Sequence, residues 1–383
     1  MIVSPGPASP DIAIVGGGIV GLWCAHVAAK RGAQVLLIEK RTIASGASGG
    51  MLGALMPHQP TGWNAKKQLQ LDGLLSLPGR VAELEAQTAL SCGYARTGRL
   101  MPIGHPEKRR QSAQWADGAA EHWPEGCAWT VEDANPAPGW MTDGALTDGV
   151  NHDTLSARID PRRLTAALRA ALETHDHVSI RENAEITRIG ADGALTLPND
   201  ETIAPGTTII AAGTGAFALV DPAEPGRVGR GVKGQGALLK PTRPVDPVSP
   251  ILYDKGVYVI AHESGHIAVG STSEDTFDAP DTTDDKLDGI VAKATALCPA
   301  LEGAAIIERW AGVRPRAEGR EPLVGPLPGG HNVILATGGF KISFAIAHLM
   351  ADAAVGYALG GQPDGLPELF LPAQRGITLR RSP

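Results

Sequence analysis

Three glycines and an acid carry the first chemistry legible in the chain: Gly16, Gly18 and Gly21 in the run Gly16-Gly17-Gly18-Ile19-Val20-Gly21, and Glu39 beyond them. The spacing G-x-G-x-x-G is that of a loop that holds a dinucleotide pyrophosphate. In this pattern Gly16 permits a tight turn, Gly18 lets the pyrophosphate approach the backbone, and Gly21 lets helix and strand pack closely. A helix starting there presents N–H groups and partial positive charge to the phosphates. Glu39 stands where a carboxylate accepts hydrogen bonds from a ribose diol, and its charge would repel a 2′-phosphate.

The residues around this loop form a strand–helix–strand unit. Ile12–Val15 is a β-branched run suited to a buried parallel strand, Leu22–Arg31 reads as a helix ended by Gly32, and Val35–Ile38 is a second strand. Residues 41–55 hold a long run of small side chains, among them Ser45, Ala47 and Ser48. Such a run lets backbone lie against a flat ligand and offers N–H groups to its oxygens. Farther along, Thr207–Ile210 leads into Ala211-Ala212-Gly213, and Val333–Thr337 leads into Gly338-Gly339-Phe340-Lys341-Ile342. Both read as buried parallel strands returning to the nucleotide site, so the fold is discontinuous in sequence. A helix over Ser343–Leu359 follows, and its N-terminus can stabilise negative charge on a ring above it.

Other stretches are read for organisation. Lys66–Ala89 has helical spacing interrupted at Pro78-Gly79, which predicts two helices. Tyr94–Ile103 resembles a hairpin turning at Gly98, and residues 104–150 show poor periodicity. Asp160-Pro161 opens a helix to about Glu173. Val178–Ile180 and Ala184–Ile189 are strand-like, and a hairpin follows within residues 194–203. Gly229–Leu239 and Val257–Gly270 alternate as antiparallel strands do. A helix capped near Thr282 or Thr283 runs to about Leu297.

Composition narrows the class. At 383 residues with 43% apolar content, the chain can fill two domains. A net charge of −7 without a basic cluster argues against nucleic-acid binding. Cys24, Cys92, Cys127 and Cys298 are widely spaced, which suits a reduced compartment and neither a disulfide frame nor a zinc site. Residues 1–10 hold three prolines and no signal-peptide pattern, so they read as a loose tail. No stretch reads as a membrane span, and a soluble cytoplasmic protein is expected. His58, between prolines, is read as a hydrogen-bonded loop residue, and no metal-ligand spacing is found.

The order GGGIVG, Glu39, GASGG, Ala211-Ala212-Gly213, Tyr258–Gly270 (YVI-x8-VG), GVRP at Gly312–Pro315 and TGGFKISFAIAH at Thr337–His348 resembles the FAD-dependent D-amino acid oxidase superfamily, most closely its glycine oxidase-like members. The resemblance implies an α/β fold. A Rossmann-type FAD-binding domain, its parallel sheet discontinuous in sequence, would take residues 10–88, 155–228 and 308–370. A smaller α+β substrate domain, with a mainly antiparallel sheet, would take residues 89–154 and 229–307.

The resemblance also assigns roles. Gly16, Gly18, Ile19, Val20 and Gly21 would hold the pyrophosphate of FAD, and Glu39 with Lys40 its adenosine ribose. Ser45, Ala47, Ser48, Met51 and Leu52 would line phosphate and flavin, and Ile186 would offer backbone atoms to adenine. Ala212 and Gly213 would pass near the cofactor, and Gly338, Gly339, Phe340, Lys341 and Ile342 would meet the flavin carbonyl edge. Arg314 would clamp the substrate carboxylate with its two-pronged guanidinium. Tyr258, with Tyr253, would cover the substrate, and Lys341 would add electrostatic support. The substrate would be a small carboxylate-bearing amine: a D-amino acid, glycine or an N-substituted glycine. Hydride would pass from its amine-bearing carbon to the flavin, leaving an imine, and oxygen or another acceptor would take the electrons.

Gly339 and Lys341 stand where glycine oxidase-like proteins tend to carry His and Arg. Ala268 stands where sarcosine oxidase-like relatives place a Lys thought to activate oxygen. A flavin 2-hydroxy acid dehydrogenase, a tRNA-modifying flavin oxidase and a redox-inert nucleotide-binding protein therefore stay open at this point.

Overall fold

Four-residue apolar strands, buried on both faces, begin the fold. The computed structural model describes residues 9–363 and 365–380, so the tail expected at the N-terminus lies, for residues 1–8, outside the described residues. Besides a few two-residue strands, the first half holds β1 (Ile12–Val15), α1 (Ile19–Lys30), β2 (Val35–Ile38), α2 (Ala65–Thr88), β3 (Arg99–Pro102), α3 (Pro106–His122), β4 (Trp129–Glu132), β5 (Val150–Asp153), α4 (Pro161–Glu173) and β6 (Val178–Arg181). The second half holds β7 (Thr207–Ile210), α5 (Gly215–Val220), β8 (Gly229–Lys240), β9 (Ile251–Asp254), β10 (Val257–Ala261), β11 (Ile267–Gly270), α6 (Asp285–Leu297), β12 (Ala305–Ala317), β13 (Leu323–Pro326), β14 (Val333–Thr337) and α7 (Ser343–Ala358).

Two sheets organise these elements. The first has the order β13-β14-β7-β1-β2-β6 and is parallel except for the β13–β14 pair. Its central strands align Val15 with Ile38 and with Ile210, so three loops leave the same carboxyl edge. Ligands in such sheets bind where those loops diverge. The second sheet has the order β12-β8-β11-β10-β9-β3-β5-β4 and is antiparallel except where β9 meets β3. One face of the first sheet packs on α1, α4 and α7, and α2 lies on α4 and α7, all through a core including Leu22, Trp23, Leu77, Leu164 and Ile346. α6 covers the second sheet through Leu287, Ala294 and Leu297.

Several expectations need correction. α1 starts at Ile19, ahead of Leu22, because the Ser48 hydroxyl accepts a hydrogen bond from Ile19 N at 2.9 Å. Residues 65–88 form one helix through Pro78, where two were expected. Proline removes the N–H that Leu74 C=O would accept, and Arg96 Nη2 donates to that carbonyl at 3.1 Å instead. Tyr94–Ile103 is no hairpin. Only β3 is paired there, with β5 and β9 from distant sequence, while Ala95 bridges Arg158. Residues 104–150 contain α3, opened by a His105 cap with Pro106 at its first position. Within Ala184–Ile189 only Arg188–Ile189 is paired, and it joins 195–196 and 202–203 in a small antiparallel sheet. α6 is capped by Asp284, one residue beyond Thr283, through Lys286 N. The expected domain boundary at residue 308 falls inside β12. That strand pairs with β8 from Gly229↔Ala317 to Lys240↔Ala305, so residues 308–317 belong to the antiparallel sheet.

Candidate active site

A cavity of about 1150 Å³ opens at the carboxyl edge of β1, β2 and β7 and extends to the face of β8 and β12. At its nucleotide end the glycines answer to contacts. Gly16 has φ +111°, and a Cβ there would lie 2.5 Å from Ala211 O. A Cβ on Gly21 would lie 1.8 Å from Gly16 O, so only glycine lets α1 sit this close to the turn. Glu39 is held by backbone: Oε2 accepts from Gly17 N at 2.8 Å, and Oε1 from Arg41 N at 3.0 Å. Both oxygens keep a further lone pair, as a diol acceptor requires. The small-residue run folds as a turn over Ala47–Gly49. Gly50 faces the Trp310 ring, and His262 Nε2 donates to Met51 O at 2.8 Å, tying this run to the second sheet.

The other end is built from side chains on β10 and β12 and the segment after β14. Arg314 on β12 donates through Nη2 to Ser271 Oγ at 2.9 Å and through Nη1 to Thr272 O at 3.4 Å. Among the described residues no carboxylate lies within 4.0 Å of it. Its seat exists because residue 234, across from Gly312 on β8, is glycine; a Cβ there would lie 2.0 Å from Arg314 Nη2. Burial lowers the pKa of the guanidinium, which the nearby Tyr258 partly offsets. Burial pushes the Tyr258 phenol up to about 12, so its proton stays on. Tyr253 lies opposite Tyr258 in register with ring centroids 4.9 Å apart, but Tyr258 lines the cavity and Tyr253 does not. The Lys341 ammonium lies 5.7 Å from the Phe340 ring centroid. Burial, then the charges of Arg314 and Arg316, lower its pKa.

All the residues singled out for cofactor contact line this cavity except Gly21, which packs behind the turn. His58 lines it too, bonded through Nδ1 to Gln70 Oε1. Sequence reading missed Gln70, Gln235, Ser271 and Trp310. For Ser271 the available signal was its position directly after the expected strand end at Gly270. Among the described residues no cluster has the make-up of a metal site.

The cavity fits an extended dinucleotide. The cradle is backbone: Cβ atoms added at Gly46 and Gly213 would meet nothing within 4 Å, so both glycines leave open space on the cavity wall. The volume exceeds that of a drug-sized ligand, which leaves room for a second small molecule. A family model described as FAD dependent oxidoreductase (DAO) matches residues 11–353. The chain belongs to that family. It is an FAD-dependent oxidoreductase. Over 390 aligned residues it is 28% identical to a glycine oxidase of Pseudomonas putida, covering 96% of this chain and 99% of the relative. Its fold matches a glycine oxidase of Geobacillus kaustophilus with TM-score 0.81 at 22% identity, over 98% of this chain and 99% of the other. It also matches an iminodiacetate oxidase of Chelativorans with TM-score 0.81 at 21% identity, over 92% and 96%.

Proposed function

We propose that this protein oxidises the C–N bond of a small amino acid or N-substituted amino acid whose carboxylate is held by Arg314. One observation carries this reading: the cavity of an FAD enzyme ends at a half-buried guanidinium whose only protein partners, among the described residues, are a hydroxyl and a carbonyl. A desolvated arginine of this kind is completed by a two-pronged carboxylate. The names of relatives, glycine oxidase and iminodiacetate oxidase, support an acid bearing an amine as donor.

FAD, when bound, supplies the hydride acceptor. Arg314 binds the carboxylate and fixes the distance of the adjoining carbon from the cofactor. Tyr258 keeps its proton on Oη at neutral pH and donates it in a hydrogen bond to the substrate. Arg314 and Lys341 disfavour another positive charge beside them, so the amine binds as the free base, with its lone pair available. The N-terminus of α7, reached through Phe340–Ile342, favours negative charge in front of it. Four unpaired cysteines suit a reducing, cytoplasmic setting, and among the described residues no helix is long and apolar enough to cross a membrane.

Anaerobic mixing of the flavin-loaded protein with glycine, D-amino acids, N-methyl amino acids and 2-hydroxy acids tests the reading. Bleaching by amines and not by hydroxy acids is expected. Arg314→Ala should keep flavin and raise KM about a hundredfold, the scale of an unpaired buried charge. Bleaching by hydroxy acids alone, or unchanged KM in Arg314→Ala, overturns it.

A further inference from the structure

We propose that His58 is the base that takes the proton from the substrate amine: its Nδ1–H is tied back to Gln70, and its Nε2 lone pair is left free in the cavity where Arg314 holds the carboxylate. This rests on the reading above and adds a catalytic residue to it. Of the eleven histidines in the chain, His58 is the one that lines this cavity.

Backbone groups set the tautomer. Gln70, 3% exposed on α2, donates through Nε2 to Met56 O at 2.6 Å and accepts at Oε1 from His58 N at 3.2 Å. Turning the amide over would set carbonyl against carbonyl and N–H against N–H, so Oε1 is the atom that meets the His58 ring. That oxygen has no proton to give. Nδ1, which bonds it, is therefore the donor, and in the neutral ring Nε2 carries the lone pair. Among the described residues nothing bonds Nε2, and the atom is not sealed off.

The loop stays in place without the ring. Pro57 and Pro60 are buried, Lys67 Nζ donates to Gln59 O at 2.9 Å and to Thr61 O, and the His58 N–H already holds Gln70. The imidazole is an addition to a clamped loop.

The run from Gly50 to His58 passes the substrate end. A Cβ on Gly270 would meet Leu52 Cδ1 at 2.8 Å, and Gly270 lies opposite Tyr258 and precedes Ser271, the partner of Arg314. Met56 packs on Ile251, Ile260 and Ala268 of the second sheet. On the other side Gly73, one turn beyond Gln70 on α2, abuts Ala345, which lines the cavity at the start of α7.

An amino acid arrives as an ammonium, whose nitrogen has no lone pair to share. In the proposed step one N–H bond of the ammonium breaks, the electron pair stays on nitrogen, and the proton bonds to Nε2, which passes it to water. Nothing is oxidised in this step. The charges around the ring are Lys66 and Lys67 of α2 and Arg99 of β3, and the cavity adds Arg314, Lys341, Tyr258 and Asp281. Lys66 is held by Arg320 O at 2.7 Å and Arg99 by Asp153 at 2.6 Å. Burial lowers the His58 pKa from its ordinary value, the Gln70 bond opposes this, and Lys66, Lys67 and Arg99 lower it further. The ring is therefore neutral at pH 7 and able to accept.

Two measurements test the assignment. In protein labelled with 15N-histidine, long-range 15N–1H spectra report the tautomer of His58, identified by the signal missing from His58→Gln or His58→Ala. A proton on Nδ1 and a bare Nε2 are expected at neutral pH; the reverse overturns the proposal whether or not the enzyme turns over. In anaerobic stopped flow, flavin reduction by glycine, sarcosine and D-alanine is followed across pH. Wild type should show a level kred/Kd from about pH 7 to 9 and a fall in acid, as the base is protonated. His58→Gln should lose about a hundredfold at pH 7 and recover about tenfold per pH unit, since free amine must then come from solution. Added imidazole should restore rate to His58→Ala.

A profile in His58→Gln that matches wild type overturns the proposal, as does a loss equal at every pH, the mark of a purely structural role. Methoxyacetate, a carboxylate without an amine, separates this proposal from the reading it rests on. Followed by the visible flavin spectrum, it should bind His58→Gln as it binds wild type and fail to bind Arg314→Ala. If it binds Arg314→Ala unchanged, the carboxylate clamp is wrong, whatever His58 does. If it binds wild type but none of the three amines reduces the flavin, the donor class is wrong and this proposal falls with it.

Discussion

The two ends of the cavity are made of different material. The nucleotide end is backbone: a turn at Gly16, a helix start at Ile19, and an acid tied to amides, all within about thirty residues. The substrate end is side chain, with Arg314, Ser271, Tyr258 and Lys341 drawn from four separate segments. Backbone sites tolerate no added atom where chain crosses chain. Side-chain sites adjust, and lose function while the fold survives. The first end thus binds what every member of the family binds, and the second is free to define the substrate.

Gly21→Ala should have the largest effect. Its Cβ would meet Gly16 O at 1.8 Å, backbone against backbone. A loss of about 3 kcal/mol and protein purified without flavin are expected, read from Tm and the absorbance ratio. A yellow, stable variant would erase the contrast between the two ends.

Gly234→Ala comes next. Its Cβ would displace the far end of Arg314, which can swing away. Flavin and Tm should be retained while KM for the amino acid rises about thirtyfold, for a dislodged half-buried charge. Loss of flavin here would show that the two ends are not separable.

Ser271→Ala removes one neutral hydrogen bond from Arg314. About 1 kcal/mol, or roughly a fivefold rise in KM, is expected. An unchanged KM would mean that the guanidinium is positioned by Gly234 and Thr272 O alone.

Acid should act, more mildly, on the nucleotide end. His26 and His348 flank Trp23 of α1, with ring centroids 5.7 and 5.9 Å from it. Burial lowers their pKa values to about 4 and about 3. The unfolded chain takes up protons near the ordinary histidine value of 6.5, and the folded chain does not. Their stabilising contribution is therefore present above pH 6.5 and lost as pH falls toward 4 and 3. Tm and flavin retention should fall together over that window, and His348→Gln should flatten the slope. A Tm independent of pH there would contradict the burial of these imidazoles.

Sequence alone reached far at one end and little at the other. The strand Ile12–Val15, the glycine spacing, Glu39 and the Asp160-Pro161 helix start lie within short windows, where local rules apply. α3 escaped because only Ser112, Gly118 and Ala119 of its seventeen residues are buried, so its apolar period is faint. The continuity of α2 through Pro78 depends on Arg96, which no helical window includes. β3 was misread because its partners lie some fifty and a hundred and fifty residues away.

The types of residue and their order were enough to specify a nucleotide cradle, since phosphate binding uses the backbone of one βαβ unit. The presence of Arg314 was also legible, but not its lack of an acidic partner among the described residues, its support from Ser271 or the glycine that makes its seat. Those facts concern distances between side chains far apart in the chain, and only the pairing of β8 with β12 brings them together.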